Sequence, residues 1–364
     1  MNMIDLELMR KLTEIPAVSG HEDPMIRFVR TYMEERADRV RMDKLGNLAA
    51  TIDGTDPNAP SIMVLSHMDE VGLMVRRIEP NGFLRVVRIG GIEERSLLST
   101  QVRVITGKGE VPGVVGLEAH HVRPPEKKYV IPPADKMYVD VGANSCEEVE
   151  EMGIKVGDPI TYMPNFREYG NGLIMSKTMD NRAPLTVLLQ ALDHFSKERP
   201  KATIHFTASV LEEMNQRGPL PMARILKPDA VLNLEVCIAT DTPDLSGVAA
   251  DIRLGNGPAV YLYSFHGRGT LGGLFPHPGL LNQAERIAEK EGIPLQREVV
   301  IGVVTETAWL QLEGEGIPSM DFGLPCRYTH CPNEVISKKD AENLLKLVLS
   351  FLESLDRDFR LVRG

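Results

Sequence analysis

A β-rich stretch in the first half of the chain constrains the fold more than any other sequence feature. Over residues 71–164, short β-branched runs alternate with glycine and proline turns, and helical spacing is confined to a short piece at 146–152. Short strands separated by turn residues indicate a small β domain. Before and after it, apolar runs of strand length alternate with helix-like stretches. The sequence therefore predicts an α/β fold, a mostly parallel sheet flanked by helices, with an inserted small β-rich domain.

The chain length agrees with this division, because 364 residues have room for about two domains. We assign residues 1–70 and 166–364 to the α/β domain and residues 71–165 to the insert. Buried strands of the main sheet are expected at 61–66, 203–210, 230–236 and 317–322. Helices are expected at 183–195, 280–290 and 344–355, the last preceded by a capping box at Ser337 and Asp340.

Composition and charge exclude several classes of protein. With 43% hydrophobic and 25% charged residues, the chain has the composition of a globular protein. Its net charge of −10 disfavours nucleic acid as a partner, since phosphate binding needs a basic surface. We expect no membrane partner, because no window approaches the roughly 20 apolar residues that cross a bilayer, and no signal peptide is recognisable. Four cysteines without a CxxC pair indicate reduced thiols in a cytoplasmic protein.

Acidic side chains and histidines gather near the ends of the predicted strands. They are His67 and Asp69 after the first strand, Glu212 and Glu213 after the second, Glu235 in the third, His330 beyond the fourth, and Asp180 before a helix. In an open α/β sheet, residues distant in sequence converge outside the carboxyl ends of the strands. Imidazole with carboxylate is the ligand set expected for zinc, cobalt or manganese. A site for two ions also needs a bridging carboxylate and a carboxylate that accepts a proton from water, and Glu212 and Glu213 can divide those tasks.

Each of these residues taken alone also has an ordinary structural explanation. An isolated His67 is most simply structural, a Glu212–Glu213 pair is most simply a solvated surface pair, and Asp180 before a helix is most simply a cap. Glu235 differs, because a carboxylate in an apolar run needs a partner or a metal. Asp69, two residues after His67, can accept the second N–H of a metal-bound imidazole. The set as a whole therefore favours a metal site.

Other chemistries have weaker support. The segment 267–272 matches G-x-G-x-x-G, but a dinucleotide site needs a helix to start in that loop, and Pro276 and Pro278 interrupt it. A glycosidase needs two carboxyls flanking one bond, which no pair here specifies. A G-x-S-x-G motif is absent from the sequence, so a serine hydrolase is disfavoured.

The ordered set of motifs resembles the cobalt- or zinc-activated tetrahedral aminopeptidases. This family includes glutamyl and deblocking aminopeptidases, and some members carry an old cellulase or endoglucanase label. The matching segments are SHMDEVGLM at 66–74, VDVGANSCEE at 139–148, GIKVGD at 153–158, KTMDNR at 177–182, Glu212-Glu213 with Arg217-Gly218, LGNGP at 254–258 and PCRYTHCPNE at 325–334. They follow the family order over nearly the whole chain, so together they are highly specific.

The resemblance implies two divalent metal ions per subunit and a role for each candidate residue. His67 would bind the first metal, with Asp69 orienting the imidazole, and Glu235 would complete the shell of that metal. Glu213 and His330 would bind the second metal, and Asp180 would bridge both metals. Glu212 would be the general base and acid. The metals would be zinc or cobalt, with manganese as an alternative. The resemblance also implies that the β-rich insert mediates dimerisation and that dimers assemble further, up to dodecamers.

We therefore expect a two-metal aminopeptidase that hydrolyses the N-terminal residue of short peptides. Three departures from the family pattern concern the substrate pocket more than the reaction class. Met214-Asn215-Gln216 follows the glutamate pair, Val304-Thr305-Glu306 stands where relatives have Gly-Thr-Asp, and Glu235 stands where aspartate is common. The alternatives are a related deacylase of N-acylated amino acids or sugars and a non-catalytic assembly or binding protein with the same fold.

Overall fold

The computed structural model describes residues 3–245, 247, 251–267, 269–361 and 363. Its strands are β1 (Arg39–Met42), β2 (Leu48–Ile52), β3 (Ser61–His67), β4 (Gly72–Ile78), β5 (Leu84–Ile89), β6 (Gln101–Thr106), β7 (Gly109–Val115), β8 (Tyr138–Asp140), β9 (Pro159–Tyr162), β10 (Arg167–Tyr169), β11 (Leu173–Ser176), β12 (Thr203–Ser209), β13 (Ala230–Ile238), β14 (Ala259–Phe265), β15 (Gly273–Leu274), β16 (Gln296–Ile301), β17 (Ser319–Arg327) and β18 (Glu334–Ser337). Its α-helices are α1 (Leu6–Glu14), α2 (Asp23–Glu34), α3 (Cys146–Glu151), α4 (Met179–Lys197), α5 (Glu212–Asn215), α6 (Leu220–Leu226), α7 (Pro278–Glu291), α8 (Thr307–Leu310) and α9 (Lys338–Glu353).

The strands of the α/β domain form one large sheet. Its main path runs β1-β2-β12-β3-β13-β17-β18-β11-β10, and β14 joins β17 and carries β15 and β16. The central strands β12, β3, β13 and β17 are parallel to their neighbours in this order. The outer pairs β1–β2 and β10–β11 are antiparallel, because their short connections allow only hairpins. The predicted fold class, a mostly parallel α/β sheet with a small β domain, is confirmed.

Helices cover both faces of the central strands. Strand β3 shows the division, since Ile62 and Val64 pack on one face and Met63 and Leu65 pack on the other. The first face carries α4 and α9, which contact each other, and the second carries α6 and α8. Burial on both faces explains why these strands read as continuous apolar runs. In the described part of the chain, every helix is too short or too polar to span a membrane.

The second sheet is a closed barrel of strands in the order β4-β5-β8-β7-β6-β9. All neighbouring strands are antiparallel, and β9 closes the barrel by pairing Ile160 with Leu73 of β4. The barrel has a core of its own, in which Val86, Val104 and Val139 are fully buried. Closure removes the edges that a small antiparallel sheet would otherwise expose. The barrel strands begin five residues after His67, the last residue of β3.

Candidate metal centre

A cleft of about 790 Å³ lies where the carboxyl ends of the central strands meet the barrel. His67, Glu235 and Asp180 line it from the α/β domain. Arg88 in β5 and Glu93, four residues after β5, also line it. Parallel strands place their carboxyl ends at one edge of the sheet, so residues that are far apart in sequence meet there. All seven candidate residues predicted from the sequence lie at or beside this cleft.

The local backbone brings each side chain to the cleft. His67 ends β3 and is paired with Ser209 of the neighbouring β12. Asp180 lies in the first turn of α4, where its backbone is not helical (φ −77°, ψ 103°). His330 follows β17 in the left-handed conformation, with φ 63°. These irregular positions are typical of functional sites, where surrounding contacts hold unusual backbone angles.

His67, Asp180 and Glu235 form a first group of metal-ligand type. The Nε2 atom of His67 lies 3.1 Å from Asp180 Oδ1 and 3.5 Å from Glu235 Oε1. All three residues are buried. Their ligand atoms lie within 4.8 Å of one another, which is close enough to share one cation.

Asp180, Glu213 and His330 form a second group of the same type. The Nε2 atom of His330 lies 3.3 Å from Asp180 Oδ2 and 3.3 Å from Glu213 Oε2. Asp180 thus belongs to both groups and turns a different oxygen towards each histidine. His330 is the most accessible member, with 32% of its side chain exposed.

Glu212 lies beside both groups. Its Oε2 atom is 3.9 Å from His67 Nε2, and with His67 and Glu213 it forms a third cluster of ligand atoms. Glu212 and Glu213 begin the short helix α5, which follows Leu211 in the left-handed conformation (φ 63°). The chain therefore turns sharply at the end of β12 and carries two adjacent carboxylates into one cleft.

Asp69 supports this arrangement from behind His67. Its Oδ1 lies 3.4 Å from His67 Nδ1, and Oδ1 and Oδ2 accept the backbone N–H groups of Glu212 and Glu213 at 3.0 Å each. The Ser19 hydroxyl also donates to Asp69 Oδ2, at 2.7 Å. Asp69 therefore holds the segment that carries the glutamate pair, in addition to facing the imidazole of His67.

Glu334 is a site residue that the sequence reasoning missed. Its Oε1 accepts the backbone N–H of His330 at 2.6 Å, and its Oε2 accepts that of Asp180 at 2.9 Å. The buried carboxylate thus ties two cleft residues from different elements together. The signal available in the sequence was its place in PCRYTHCPNE, four residues after His330.

A hydrogen bond sets the orientation of the His330 ring. Its Nδ1 lies 2.9 Å from the carbonyl oxygen of Gly91, which accepts the Nδ1 proton. In the neutral ring, Nε2 then carries the lone pair that faces Asp180 and Glu213. A second-shell acceptor on the remote nitrogen is the usual arrangement for a metal-binding histidine.

The ionisation of the cleft reflects an excess of buried carboxylates. Burial raises the pKa of Glu213 to about 8, with further effects from His330 and Asp180. Burial likewise holds the pKa of Glu212 well above its ordinary value. Burial lowers the pKa of His67, but Glu235 and Asp180 outweigh this, and the pKa is well above its ordinary value. The cleft thus retains protons where no cation balances its negative charge.

The residues present fit a divalent cation. Glu213 Oε1 and Glu235 Oε2 are buried and have no hydrogen-bond partner among the described residues. An unpaired buried carboxylate oxygen is costly, and coordination of a cation relieves that cost. Two imidazoles and several carboxylates also form a donor set suited to zinc, cobalt or manganese.

All three departures from the family pattern lie at the cleft, and Glu235 is one of the ligand-type residues described above. Val304 and Thr305 line it, and the neighbouring Glu306 is fully buried and accepts the Ser209 hydroxyl at 2.9 Å. Gln216 also lines the cleft. These side chains border the space in which a substrate would lie.

The G-x-G-x-x-G segment does not build a nucleotide site. It joins β14 to β15, and Arg268 within it lies outside the described residues. The next described helix, α7, begins at Pro278, so no helix N-terminus meets the described glycines. The dinucleotide geometry expected of this motif is therefore missing from the described residues.

A family model described as M42 glutamyl aminopeptidase matches residues 46–347. The chain belongs to peptidase family M42. The match covers the whole barrel and extends into both parts of the α/β domain, from β2 to within α9. The family predicted from the motifs is confirmed.

Sequence relatives in this family span almost the whole chain. The putative aminopeptidase SgcX of Escherichia coli K12 is 37% identical over 342 residues, which are 94% of this chain and 91% of that protein. A lysyl aminopeptidase of Pyrococcus furiosus is 35% identical over 356 residues, 97% of this chain and 98% of that protein.

Solved structures agree with these relatives. Aminopeptidase APDkam598 from the archaeon Desulfurococcus kamchatkensis superimposes with a TM-score of 0.90 at 36% identity, covering 97% of this chain and 95% of that one. The TET1 peptidase of Pyrococcus horikoshii, which can assemble into a tetrahedron or a large octahedral shell, gives a TM-score of 0.84 at 26% identity, with 96% and 99% coverage. Membership of M42 makes the protein a hydrolase that acts as a peptidase, as predicted. The family is metal-dependent, and this chain has the groups that could bind a metal.

Proposed function

We propose that this M42 peptidase removes the N-terminal residue of short peptides with the help of two divalent cations. The observation that carries the proposal is the position of Asp180, whose two oxygens face His67 and His330 separately, at 3.1 and 3.3 Å. A site for two ions needs one carboxylate shared between them, and Asp180 is placed to be that ligand. Zinc and cobalt suit the donor set, and manganese is the alternative.

The two groups of side chains define the proposed ligands. His67, Asp180 and Glu235 would hold the first ion, and Asp180, Glu213 and His330 the second. Ions bound there would polarise the scissile carbonyl and make a water molecule more acidic. Asp69, 3.4 Å from His67 Nδ1, would hold the imidazole in the orientation that presents Nε2.

Glu212 is the proposed general base and acid. It belongs to neither of the two ligand groups, and its Oε2 lies beside them, 3.9 Å from His67 Nε2. In this position Glu212 would accept a proton from the attacking water and later give it to the leaving amine. Burial raises the pKa of Glu212 well above its ordinary value, although His67 opposes this, so Glu212 takes up protons readily. The carboxylates around the ligand groups would also attract the free α-amino group of the substrate.

Chelation and reconstitution test this function. The purified protein is treated with a chelator, reloaded with zinc, cobalt or manganese, and assayed on aminoacyl amides of lysine, glutamate and leucine. N-acetyl amino acids and a soluble cellulose derivative serve as the competing substrates. We expect hydrolysis of aminoacyl amides that disappears on chelation and returns with zinc or cobalt. Hydrolysis confined to N-acetyl substrates would favour the deacylase instead, and inactivity on every substrate would favour a non-catalytic protein.

The bridging role of Asp180 has a separate test. The Asp180→Ala variant should lose both metal and activity, because Asp180 is the one residue common to the two ligand groups. Elemental analysis measures the metal, and Asp193→Ala, a surface change on the same helix, is the matched control. Full metal content in Asp180→Ala would refute the bridge.

We further propose that the protein is a cytoplasmic homo-oligomer and that residues 71–165 form its dimerisation domain. The assembly of the TET1 relative into large shells supports the first part. Light scattering on the purified protein tests the oligomer: a multiple of the 40.4 kDa chain mass is expected, and the mass of one chain would contradict it. Free thiols at Cys146, Cys237, Cys326 and Cys331 support a reducing location.

A further inference from the structure

Four consecutive backbone amides just before and within α5 are each held by a side chain from elsewhere in the chain. The N–H groups of residues 210–213 donate to Asn47, Glu22 and Asp69, and Asp69 accepts two of them. The distances are 3.0 Å for Val210, 3.1 Å for Leu211, and 3.0 Å for Glu212 and Glu213. We call residues 210–213 the catalytic turn, because it carries the proposed general base.

Asn47 holds the start of the catalytic turn and the end of the loop that follows it. Its Oδ1 accepts the Val210 N–H, and its Nδ2 donates to the carbonyl oxygen of Gly218 at 2.7 Å. Asn47 is fully buried, and Asp43 Oδ2 accepts a second hydrogen bond from its Nδ2 at 2.7 Å. The amide group of Asn47 is therefore itself fixed, and it closes the loop from Val210 to Gly218.

Glu22 holds the middle of the turn from a different direction. It precedes α2, but its side chain makes no capping hydrogen bond to that helix. Instead its Oε1 accepts the N–H groups of Gly20 at 2.9 Å and Leu211 at 3.1 Å. One oxygen atom thus makes both contacts, and the residue is buried to 6% exposure.

The catalytic turn and the loop that follows it to Gly218 need this external support because their backbone is unusual. Leu211 and Gln216 adopt the left-handed conformation, with φ 63° and 56°. Gly218 packs so closely that a Cβ there would lie 1.6 Å from the carbonyl oxygen of Val210. A non-glycine residue with positive φ is strained and persists only where its surroundings determine it. Asn47, Glu22 and Asp69 are those surroundings.

We propose that Asn47 and Glu22 are positioning residues that hold the catalytic turn so that Glu212 and Glu213 enter the cleft in different roles. The proposal rests on the proposed function only for the role given to Glu212. Neither residue reaches the cleft, since both act through backbone amides of the turn. A displacement of about 1 Å at a reacting group can lower a rate by about a hundredfold, so support at this distance matters for turnover.

Glu22 offers the sharper test, because a conservative variant keeps the contact. Glu22→Gln retains an acceptor oxygen for Leu211, whereas Glu22→Ala removes it. Asp5→Ala is the matched control, since it deletes a 2.9 Å side-chain contact to the Leu8 amide at the start of α1, away from the cleft. Asn47→Ala provides a second, independent variant.

Three measurements are made on each variant: hydrogen exchange of the amides in the catalytic turn, the absorption spectrum of the cobalt-loaded protein, and kcat and KM. For Glu22→Ala and Asn47→Ala we expect exchange faster by about tenfold, an altered cobalt spectrum, and kcat lower by about tenfold or more with KM within about twofold. Glu22→Gln and Asp5→Ala should match the wild type in all three.

The outcomes separate this proposal from the proposed function. Unchanged exchange in Glu22→Ala, or faster exchange with an unchanged cobalt spectrum and unchanged kcat, would overturn the positioning role. A loss of kcat in Asp5→Ala of the same size would also overturn it, because the effect would then reflect general stability. If the wild type hydrolyses no peptide, the proposed function fails, and exchange with the cobalt spectrum still decides whether the turn is held in place.

Discussion

At the scale of single residues, the cleft is defined by carboxylates that lack enough partners of their own. Asp180 is an exception, because two histidines face its carboxyl group. Burial raises the pKa of Asp180, but hydrogen bonds from His330 and His67 outweigh burial and lower this pKa far below its ordinary value. Glu212 and Glu213 instead have raised pKa values. The two imidazoles that face Asp180 therefore keep it ionised, whereas Glu212 and Glu213 retain protons where no cation lies beside them.

The first prediction concerns Glu212. Glu212→Gln should keep the metal, because Glu212 is outside the two proposed ligand sets, and should lose turnover by about 10²–10⁴-fold, the usual contribution of a general base. Kinetics on an aminoacyl amide and elemental analysis measure the two effects. Glu353→Gln, a surface change on α9, is the control. Wild-type turnover in Glu212→Gln would remove Glu212 from its proposed role.

The second prediction concerns His205, which lies away from the cleft. Its Nδ1 and Nε2 contact the hydroxyl groups of Thr51 and Ser61 at 2.8 and 3.0 Å. Burial and then Arg39 lower the pKa of His205 from 6.5 to about 4. The folded protein therefore binds fewer protons at this site than the unfolded chain, so this stabilisation is present above pH 6.5 and is lost as the pH falls towards 4.

The size of that loss can be measured against a variant. Between about pH 7.5 and about pH 5, the wild type should lose about 2 kcal/mol more free energy of unfolding than His205→Gln. Urea unfolding at the two pH values gives both numbers, and the comparison cancels the titration of other groups. Equal losses in the two proteins would show that His205 does not carry this dependence.

At the scale of helices and strands, local sequence signals predicted the central strands of the large sheet well. The run at 61–66 became β3, 203–210 became β12, and 230–236 became β13, each within two residues at its ends. Strands β1, β2, β10, β11, β15, β16 and β18 of the large sheet were not predicted, because they are short and gain their partners only from the sheet. Asp23 before Pro24 is a local signal for a helix N-cap, yet Glu22 occupies the N-cap position of α2 and its Oε1 accepts the Leu211 N–H. Tertiary contacts thus overrode the local capping signal.

The third prediction belongs to helix α9. The predicted cap at Ser337 is present: its hydroxyl accepts the Asp340 N–H at 3.3 Å. The Asp340 carboxylate, however, accepts the N–H groups of Gly255 and Gly257 rather than completing a capping box. Ser337→Ala should lower the free energy of unfolding by about 1 kcal/mol, with kcat unchanged. Urea unfolding measures this free energy, and Ser337→Thr should restore most of the loss. A change in kcat without a change in stability would contradict the capping role of Ser337.

At the scale of the whole molecule, a buried ion pair joins the barrel to the α/β domain. The Glu70 carboxylate accepts hydrogen bonds from Lys177 Nζ, from the Ala17 N–H at 2.8 Å and from the Thr161 hydroxyl of β9 at 2.9 Å. Both Glu70 and Lys177 are fully buried. Burial lowers the pKa of Lys177 to about 8, even though Glu70 opposes this. The pair therefore connects the segment after His67 with the segment before Asp180 and with the barrel.

The fourth prediction tests this connection. Lys177→Met removes the nearer of two cations beside the buried Glu70 carboxylate, since Arg182 Nη2 lies 4.0 Å from Glu70 Oε1. The free energy of unfolding should therefore fall by about 3 kcal/mol, the lower end for a broken buried pair. Lys346→Met, which breaks the surface pair with Glu291, is the control and should lower it by less than about 1 kcal/mol. Thermal or urea unfolding measures both variants, and a loss in Lys177→Met no larger than in the control would show that the buried charge does not hold the joint together.

The sequence by itself determined the fold class, the family and the residues that meet in the cleft, because apolar periodicity and strand-end motifs are local features. Only the tertiary structure decided which atoms of those residues face each other and which other residues support them. Asp180 turns one oxygen to each histidine, Glu334 ties His330 to Asp180, and Asn47 with Glu22 supports the catalytic turn. These contacts join elements that are remote in sequence. Those of Glu334, Glu22 and Asn47 are made to backbone groups, which every non-proline residue supplies alike, so no pattern of side chains along the chain specifies them.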